Sequence, residues 1–213
     1  GWRFVHPRFE KEFGIDSMPE TGENVAEQFQ VNREDQDLFA YRSQQKAGVA
    51  MENGRLAAEI AAVEIAGRKG KVTVVESDEH PRPQTTMDDL AKLPTPFRKE
   101  GGTVTAGNAS GVNDGAAAMI LASAAAVEKH CLTPRARVVT SGVAGVEPRI
   151  MGVGPAPASE IALNRAGLKI ADMGVIEMNG AVGAQSLAAL PMLGGPHRSP
   201  RTALQARALA PAE

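Results

Sequence analysis

After Thr103 the chain alternates between two kinds of segment, and this alternation restricts its fold more than any other feature. Segments rich in β-branched or small apolar residues have the length of strands, and the alanine-rich segments between them have the length of helices. The predicted strands are 116–123 (buried), 135–146 and 174–179, and the predicted helices are 124–130, 157–167 and 181–190. Strands that alternate with helices are typical of an α/β layer with a largely parallel sheet.

The first hundred residues follow a different pattern. The "SMPE" at 17–20 has the spacing of a capping box, and Asn32 precedes a second helical segment that Gly54 ends. Two segments with β-branched residues flank the basic turn "RKGK" and predict a hairpin: 61–67 and 71–77. We therefore expect a separate α+β part before about Lys99.

Two polar loops are candidates for function. The segment 78–96 is rich in proline and charge, with room for only a short helix at "MDDLAKL". The segment 107–115 combines glycines, asparagines, a serine and an aspartate immediately before an apolar run. Because glycine has no Cβ, such a turn lets a ligand or another backbone approach closely.

Composition excludes several classes of protein. A net charge of −2 and an aromatic content of 4% argue against a nucleic-acid partner. No apolar run reaches the ~20 residues of a membrane span. The single cysteine, Cys131, excludes an internal disulfide framework and a multi-cysteine zinc site, and indicates a reducing, cytoplasmic compartment. Because the chain begins with Gly1, we expect further sequence upstream.

Several long and unusual sequence motifs resemble those of thiolases, and in particular of the β-ketoadipyl-CoA thiolase branch. They are "GWRFVHP", "GIDSMPETGENVAEQFQVNREDQDLFAYRSQQKA", "DEHPRPQTT", "GTVTAGNASGVNDGAAAMILAS", "PRARVV", "PRIMGVGPAPA" and "DMGVIEMN". The motifs occur in family order over roughly residues 1–188.

The resemblance implies a partial thiolase-like fold of class α/β, from a parent with layers in the order αβαβα and an inserted α+β loop domain that covers coenzyme A. It also implies the division of the chain. Residues 1–102 are mostly loop domain, 103–135 end the N-terminal half, 136–190 begin the C-terminal half, and 191–213 form an aberrant, disordered tail.

The chemistry implied by the family needs three side chains that these 213 residues do not supply in family positions. The nucleophilic cysteine of a Cys-x-Ser-Gly motif would lie upstream of Gly1. The histidine of a Gly-His-Pro motif and the acid/base cysteine of a Cys-x-Gly motif would lie beyond Leu190, where the chain reads "LPMLGGPHRSPR". We do not assign the histidine role to His197, and Cys131 matches no catalytic cysteine.

Other family positions are retained. The resemblance implies that Asn108, Ala109 and Ser110 contact the pantetheine arm of coenzyme A, and that Arg82 lies by its adenine. Met18 would line the acyl and pantetheine tunnel, and Asn179, in "NGAV", would be a vestigial ligand of the oxyanion-hole water. The alternatives are a structural turn, a solvated surface arginine and a core methionine.

Three hypotheses about function follow from the resemblance. The first is a thiolase that cleaves a 3-oxoacyl-CoA such as 3-oxoadipyl-CoA, with coenzyme A as a substrate and no permanent cofactor, in a dimer or tetramer; this chain alone would be inactive. The second is a non-catalytic CoA-binding or interaction module. The third is a non-functional gene remnant, suggested by the abrupt change of character near Leu190.

Overall fold

The computed structural model of the chain describes residues 3–194 of the 213. Residues 195–213 contain His197 and most of the tail that the sequence predicts to be disordered, so both predictions lie outside the described residues. Within residues 3–194, no helix combines the length and apolarity that a membrane crossing requires.

Seven α-helices and one hairpin make up most of the regular structure of residues 3–194. The helices are α1 Pro7–Phe13, α2 Met18–Gln28, α3 Arg33–Glu52, α4 Met87–Ala91, α5 Ala124–Lys129, α6 Pro155–Ala166 and α7 Gly183–Met192. The strands are β1 Val63–Ala66 and β2 Val72–Val75, and 3₁₀ helices cover Arg68–Gly70, Pro148–Val153 and Ile170–Asp172.

The helix ends follow the predicted capping chemistry. The backbone N–H of Ser17 donates to Glu20 Oε2 at 2.7 Å and closes the capping box that begins α2. The Asn32 side chain accepts from the backbone N–H of Asp35 at 2.8 Å at the start of α3. Helix α6 ends at Gly167, whose φ of 67° lies in the left-handed region that glycine adopts without steric cost. These helix predictions are confirmed.

The predicted hairpin is also confirmed. Strand β1 pairs with β2 in antiparallel register, with Val63 opposite Val75 and Ala66 opposite Val72, around the Arg68–Gly70 turn. All four residues of β1 are exposed, so the hairpin adds little to the core.

The core lies where α2 and α7 pack together against the Pro148–Val153 segment. Val25 from α2 and Leu187 from α7 are buried in one cluster with Val104 and Val153. Gly22 allows this close packing, because a Cβ there would lie 2.9 Å from Val182 Cγ2 and 3.3 Å from Val104 Cγ2. Residues from both sides of the sequence boundary near Lys99 therefore share one core.

The three predicted strands after Thr103 are wrong for the described residues. The segments 116–123, 135–146 and 174–179 run without strand pairing, and the segment predicted to be buried is exposed throughout. A strand forms only when its N–H and C=O groups pair with a neighbour. Within residues 3–194 the sheet contains only β1 and β2, so these segments have no such neighbour.

Candidate functional site

The loop after Thr103 is held to α2 by one buried carboxylate. Glu23, which is 2% exposed, accepts hydrogen bonds from the backbone N–H groups of Thr103 and Val104 at 2.9 Å. It also accepts from the Thr103 hydroxyl at 2.9 Å. Because a buried carboxylate needs such partners, Glu23 and the loop fix each other's position.

Asn108 fixes the next turn of the same loop from inside. Its Oδ1 accepts from the backbone N–H of Thr105 at 2.8 Å, and its Nδ2 donates to Asp37 Oδ1 and to the Thr103 carbonyl, both at 2.9 Å. Asp37 in turn pairs with Arg33 at 2.7 Å. The amide of Asn108 is thus fully occupied within the protein, and it is 4% exposed. Its side chain shapes the loop.

The loop then pairs with the segment that leads into α7. The N–H of Ser110 donates to the Ala181 carbonyl, and the N–H of Gly183 donates to the Asn108 carbonyl, both at 2.8 Å. Between them Ala109 and Val182 form an isolated antiparallel bridge. This pairing brings residues 108–110 beside the start of α7.

A cavity of about 360 Å³ lies at this junction. Three of the predicted site residues line it, although they come from separate parts of the chain: Met18, Ser110 and Asn179. Met18 is 48% exposed, so it lies at the surface of the cavity and is not a buried core methionine. Most of the remaining lining comes from α2, the 3₁₀ segment Pro148–Val153 and residues 181–185 at the start of α7, and includes Thr21, Val25, Met151 and Gln185.

Arg82 and Cys131 lie outside this cavity. Arg82 is exposed on the loop beside α3, where its backbone N–H donates to Gln44 Oε1 at 2.7 Å. Cys131 is an exposed free thiol directly after α5. The structure therefore gathers Met18, Ser110 and Asn179, supports them with Asn108 and Ala109, and leaves Arg82 separate.

Sequence reasoning missed the residues that support the cavity. The sequence analysis assigns no site role to Glu23 or to Asp37, which is one of several acids in the first turns of α3. The spacing of Arg33 and Asp37, four residues apart, was a usable signal for their ion pair. Gln185, whose Oε1 accepts from the N–H of Ala181 at 2.9 Å, offered no comparable signal.

A second cavity of about 700 Å³ adjoins the first, and its charged lining includes Asp16 and Arg149. Arg149 Nε donates to Asp16 Oδ2 at 2.9 Å, and Asn24 Nδ2 donates to the same oxygen at 2.7 Å. Partial burial raises the pKa of Asp16, but these two hydrogen bonds and the positive charge of Arg149 together outweigh it and leave the pKa below its ordinary value. The same contact raises the pKa of Arg149. Residues 3–194 contain no cluster of three potential metal-ligating side chains.

Known protein families and individual proteins match this chain along most of its length. The thiolase N-terminal domain matches residues 8–125, and the thiolase C-terminal domain matches residues 132–201. A β-ketoadipyl-CoA thiolase of Pseudomonas aeruginosa is 59% identical over 194 residues, which are 91% of this chain and 48% of that protein. The 3-oxoadipyl-CoA/3-oxo-5,6-dehydrosuberyl-CoA thiolase of Escherichia coli K12 is 56% identical over 200 residues, or 94% of this chain and 50% of that protein.

Solved structures agree with these matches. The acetyl-CoA acetyltransferase of Bacillus anthracis superimposes with a TM-score of 0.82 at 40% identity, covering 91% of this chain and 51% of that one. Human mitochondrial 3-ketoacyl-CoA thiolase in complex with CoA gives a TM-score of 0.76 at 47% identity, covering 83% of this chain and 43% of that one. This chain spans about half the length of the relatives it matches, and its fold is a partial thiolase fold of mixed helix and sheet. The chain belongs to the thiolase family.

Proposed function

We propose that this chain provides a coenzyme A cavity for thiolase chemistry: the CoA-dependent cleavage of a 3-oxoacyl-CoA to acetyl-CoA and a shorter acyl-CoA. The names of the relatives from Pseudomonas aeruginosa and Escherichia coli support 3-oxoadipyl-CoA as the substrate. Coenzyme A and its 3-oxoacyl thioester are the two substrates, with no permanently bound cofactor, and the family assembly would be a dimer or a tetramer.

The observation that carries the proposal is the shared lining of the 360 Å³ cavity by Met18, Ser110 and Asn179. The Ser110 hydroxyl offers a donor and an acceptor to the amides of a pantetheine arm. Met18 offers a flexible apolar contact to the chain beside it. The Asn179 amide would hold a water where negative charge develops on the thioester oxygen.

Acyl transfer also needs a thiolate nucleophile, a base that activates it and an acid/base for the second substrate. Cys131 is the one cysteine of the sequence, and it does not line the cavity. We therefore propose that these three groups come from sequence outside the 213 residues or from a partner chain. The same observation favours a second candidate function, a CoA-binding module that performs no chemistry.

Calorimetry with coenzyme A tests the proposal. We expect weak binding to the wild type and about a tenfold loss with Ser110→Ala, which removes a polar group from the cavity. Arg82→Ala should cause a similar loss through the adenine contact that the family resemblance implies, although Arg82 does not line the cavity. Arg68→Ala, an exposed arginine in the hairpin turn, is the matched control and should bind like the wild type. Coenzyme A binding that neither Ser110→Ala nor Arg82→Ala changes would contradict the site.

A thiolysis assay with 3-oxoadipyl-CoA and acetoacetyl-CoA addresses the chemistry. Loss of the members of a catalytic unit lowers turnover by ~10³- to 10⁶-fold, so the chain alone should show none. Turnover that persists in Cys131→Ala would show that the account of the missing groups is wrong.

A further inference from the structure

The second cavity continues the first. Met18, Thr21 and Met151 line both, so a ligand whose thioester lies near Ser110 and Asn179 can extend past the two methionines into the larger space. Phe9 and Phe13 give that space an apolar wall. An apolar passage that leads away from a thioester fits an acyl chain.

The passage leads to a fixed guanidinium group. Asp16 holds Arg149 through Nε at 2.9 Å, and the Arg149 side chain is 55% exposed. Within residues 3–194 its two terminal nitrogens have no hydrogen-bond partner, so both can donate to a ligand. A guanidinium fixed in this way offers paired donors that match a carboxylate.

Charges near the far end of this cavity act on an anion in both directions. Arg3 and Arg149 line the space beside the carboxylate of Asp16, and Glu27 and Glu147 also lie close enough to raise the pKa of Arg149. Recognition of a carboxylate therefore depends on direct hydrogen bonds from the terminal nitrogens of Arg149, which a methyl terminus cannot accept.

We propose that the second cavity holds the acyl chain and that Arg149 binds a carboxylate at its far end, so that the site selects dicarboxylic acyl-CoAs over alkyl acyl-CoAs. The proposal rests on the proposed function and adds the residue that recognises the substrate class. Arg149 then determines specificity, and Asp16 positions it.

The alternative is that the Arg149–Asp16 pair only ties the Pro148–Val153 segment to the start of α2. Arg98 provides a matched control for that structural role. It pairs with Glu27 of α2 at 2.8 Å and also reaches Asn24, yet it lines neither cavity.

Calorimetry with adipyl-CoA and hexanoyl-CoA, which differ only in the terminal carboxylate, separates the two roles. The wild type should bind adipyl-CoA about three- to tenfold more tightly than hexanoyl-CoA, a range that allows for solvent screening of a half-exposed pair. Arg149→Gln should abolish this preference, Arg149→Lys should retain part of it, and Arg98→Gln should leave it unchanged. The wild-type preference should also shrink as NaCl rises.

A preference that survives in Arg149→Gln, or that Arg98→Gln also removes, would overturn the proposal. Equal binding of both ligands by the wild type, or a preference insensitive to salt, would do the same, and each of these results leaves the coenzyme A cavity intact. Absence of binding by coenzyme A, hexanoyl-CoA and adipyl-CoA alike would overturn the proposed function together with this inference.

Discussion

Helices α2 and α7 are packed in the core, whereas the extended segments after Ser110 are exposed to solvent. The helices bury Val25 and Leu187 in a common core and surround the cavity. The segments 116–123 and 135–146 also carry large apolar side chains, but Ile120, Leu121 and Val139 remain exposed.

The difference reflects where each element finds its hydrogen bonds. A helix satisfies its backbone groups within itself, so a short stretch of sequence suffices. A central strand depends on neighbours on both sides. The matched relatives are about twice as long as this chain, and we expect the partner strands to lie in the part of their length that it does not share.

Matched leucine truncations give the largest expected contrast. Leu187→Ala removes a side chain that is 3% exposed and should lower the free energy of unfolding by about 2–5 kcal/mol. Leu121→Ala, at a position that is 78% exposed, should change it by less than about 0.5 kcal/mol. Urea titration followed by circular dichroism measures both. Equal losses would show that the extended segment belongs to the core.

Glu23 tests the connection between α2 and the loop. Glu23→Ala leaves the N–H groups of Thr103 and Val104 without their acceptor and should destabilise the chain by about 2–4 kcal/mol. Glu27→Ala is the control on the same helix. The Glu27 side chain is 71% exposed in its ion pair with Arg98, so its removal should cost less than about 1 kcal/mol. Similar urea midpoints for the two variants would refute the structural role of Glu23.

The contribution of Asp16 to the pH dependence of stability should be smaller than the losses expected for Leu187→Ala and Glu23→Ala. Because the pKa of Asp16 is lowered on folding, its contribution is fully present above the unfolded value of about 3.9 and is lost as the pH falls through the lower folded pKa. Thermal melts between about pH 5 and pH 3 should show a decline that Asp16→Asn reduces by less than about 1 kcal/mol. Asp114→Asn, at an exposed position, should follow the wild type. An identical decline in all three proteins would argue against the Asp16–Arg149 contact.

The sequence was most informative where structure is local. The capping residues Ser17 and Asn32 and the stop at Gly167 predicted their helices, because these signals act within one turn. The hairpin strands were also predicted, because their partners adjoin in sequence. The three strand predictions after Thr103 failed, because apolar patterning shows that a segment suits a strand without showing that a distant neighbour exists.

Prediction of the site also failed for residues whose partners are distant in the sequence. The family motifs identified Met18, Ser110 and Asn179, which meet at one cavity. The buried acceptor Glu23 and the acyl-side residue Arg149 carry no short-range signal, since their partners lie 80 and 133 positions away in the chain.

Hydrogen exchange with and without coenzyme A tests the central claim. The claim is that the cavity is folded although the neighbouring segments 116–123 and 135–146 form no strands. We expect slow exchange in α2 and α7, rapid exchange throughout 116–123 and 135–146, and added protection with coenzyme A confined to the loop 104–110 and its neighbours on α2 and α7. Uniformly rapid exchange, or slow exchange in the extended segments together with no response of the loop to coenzyme A, would contradict the account.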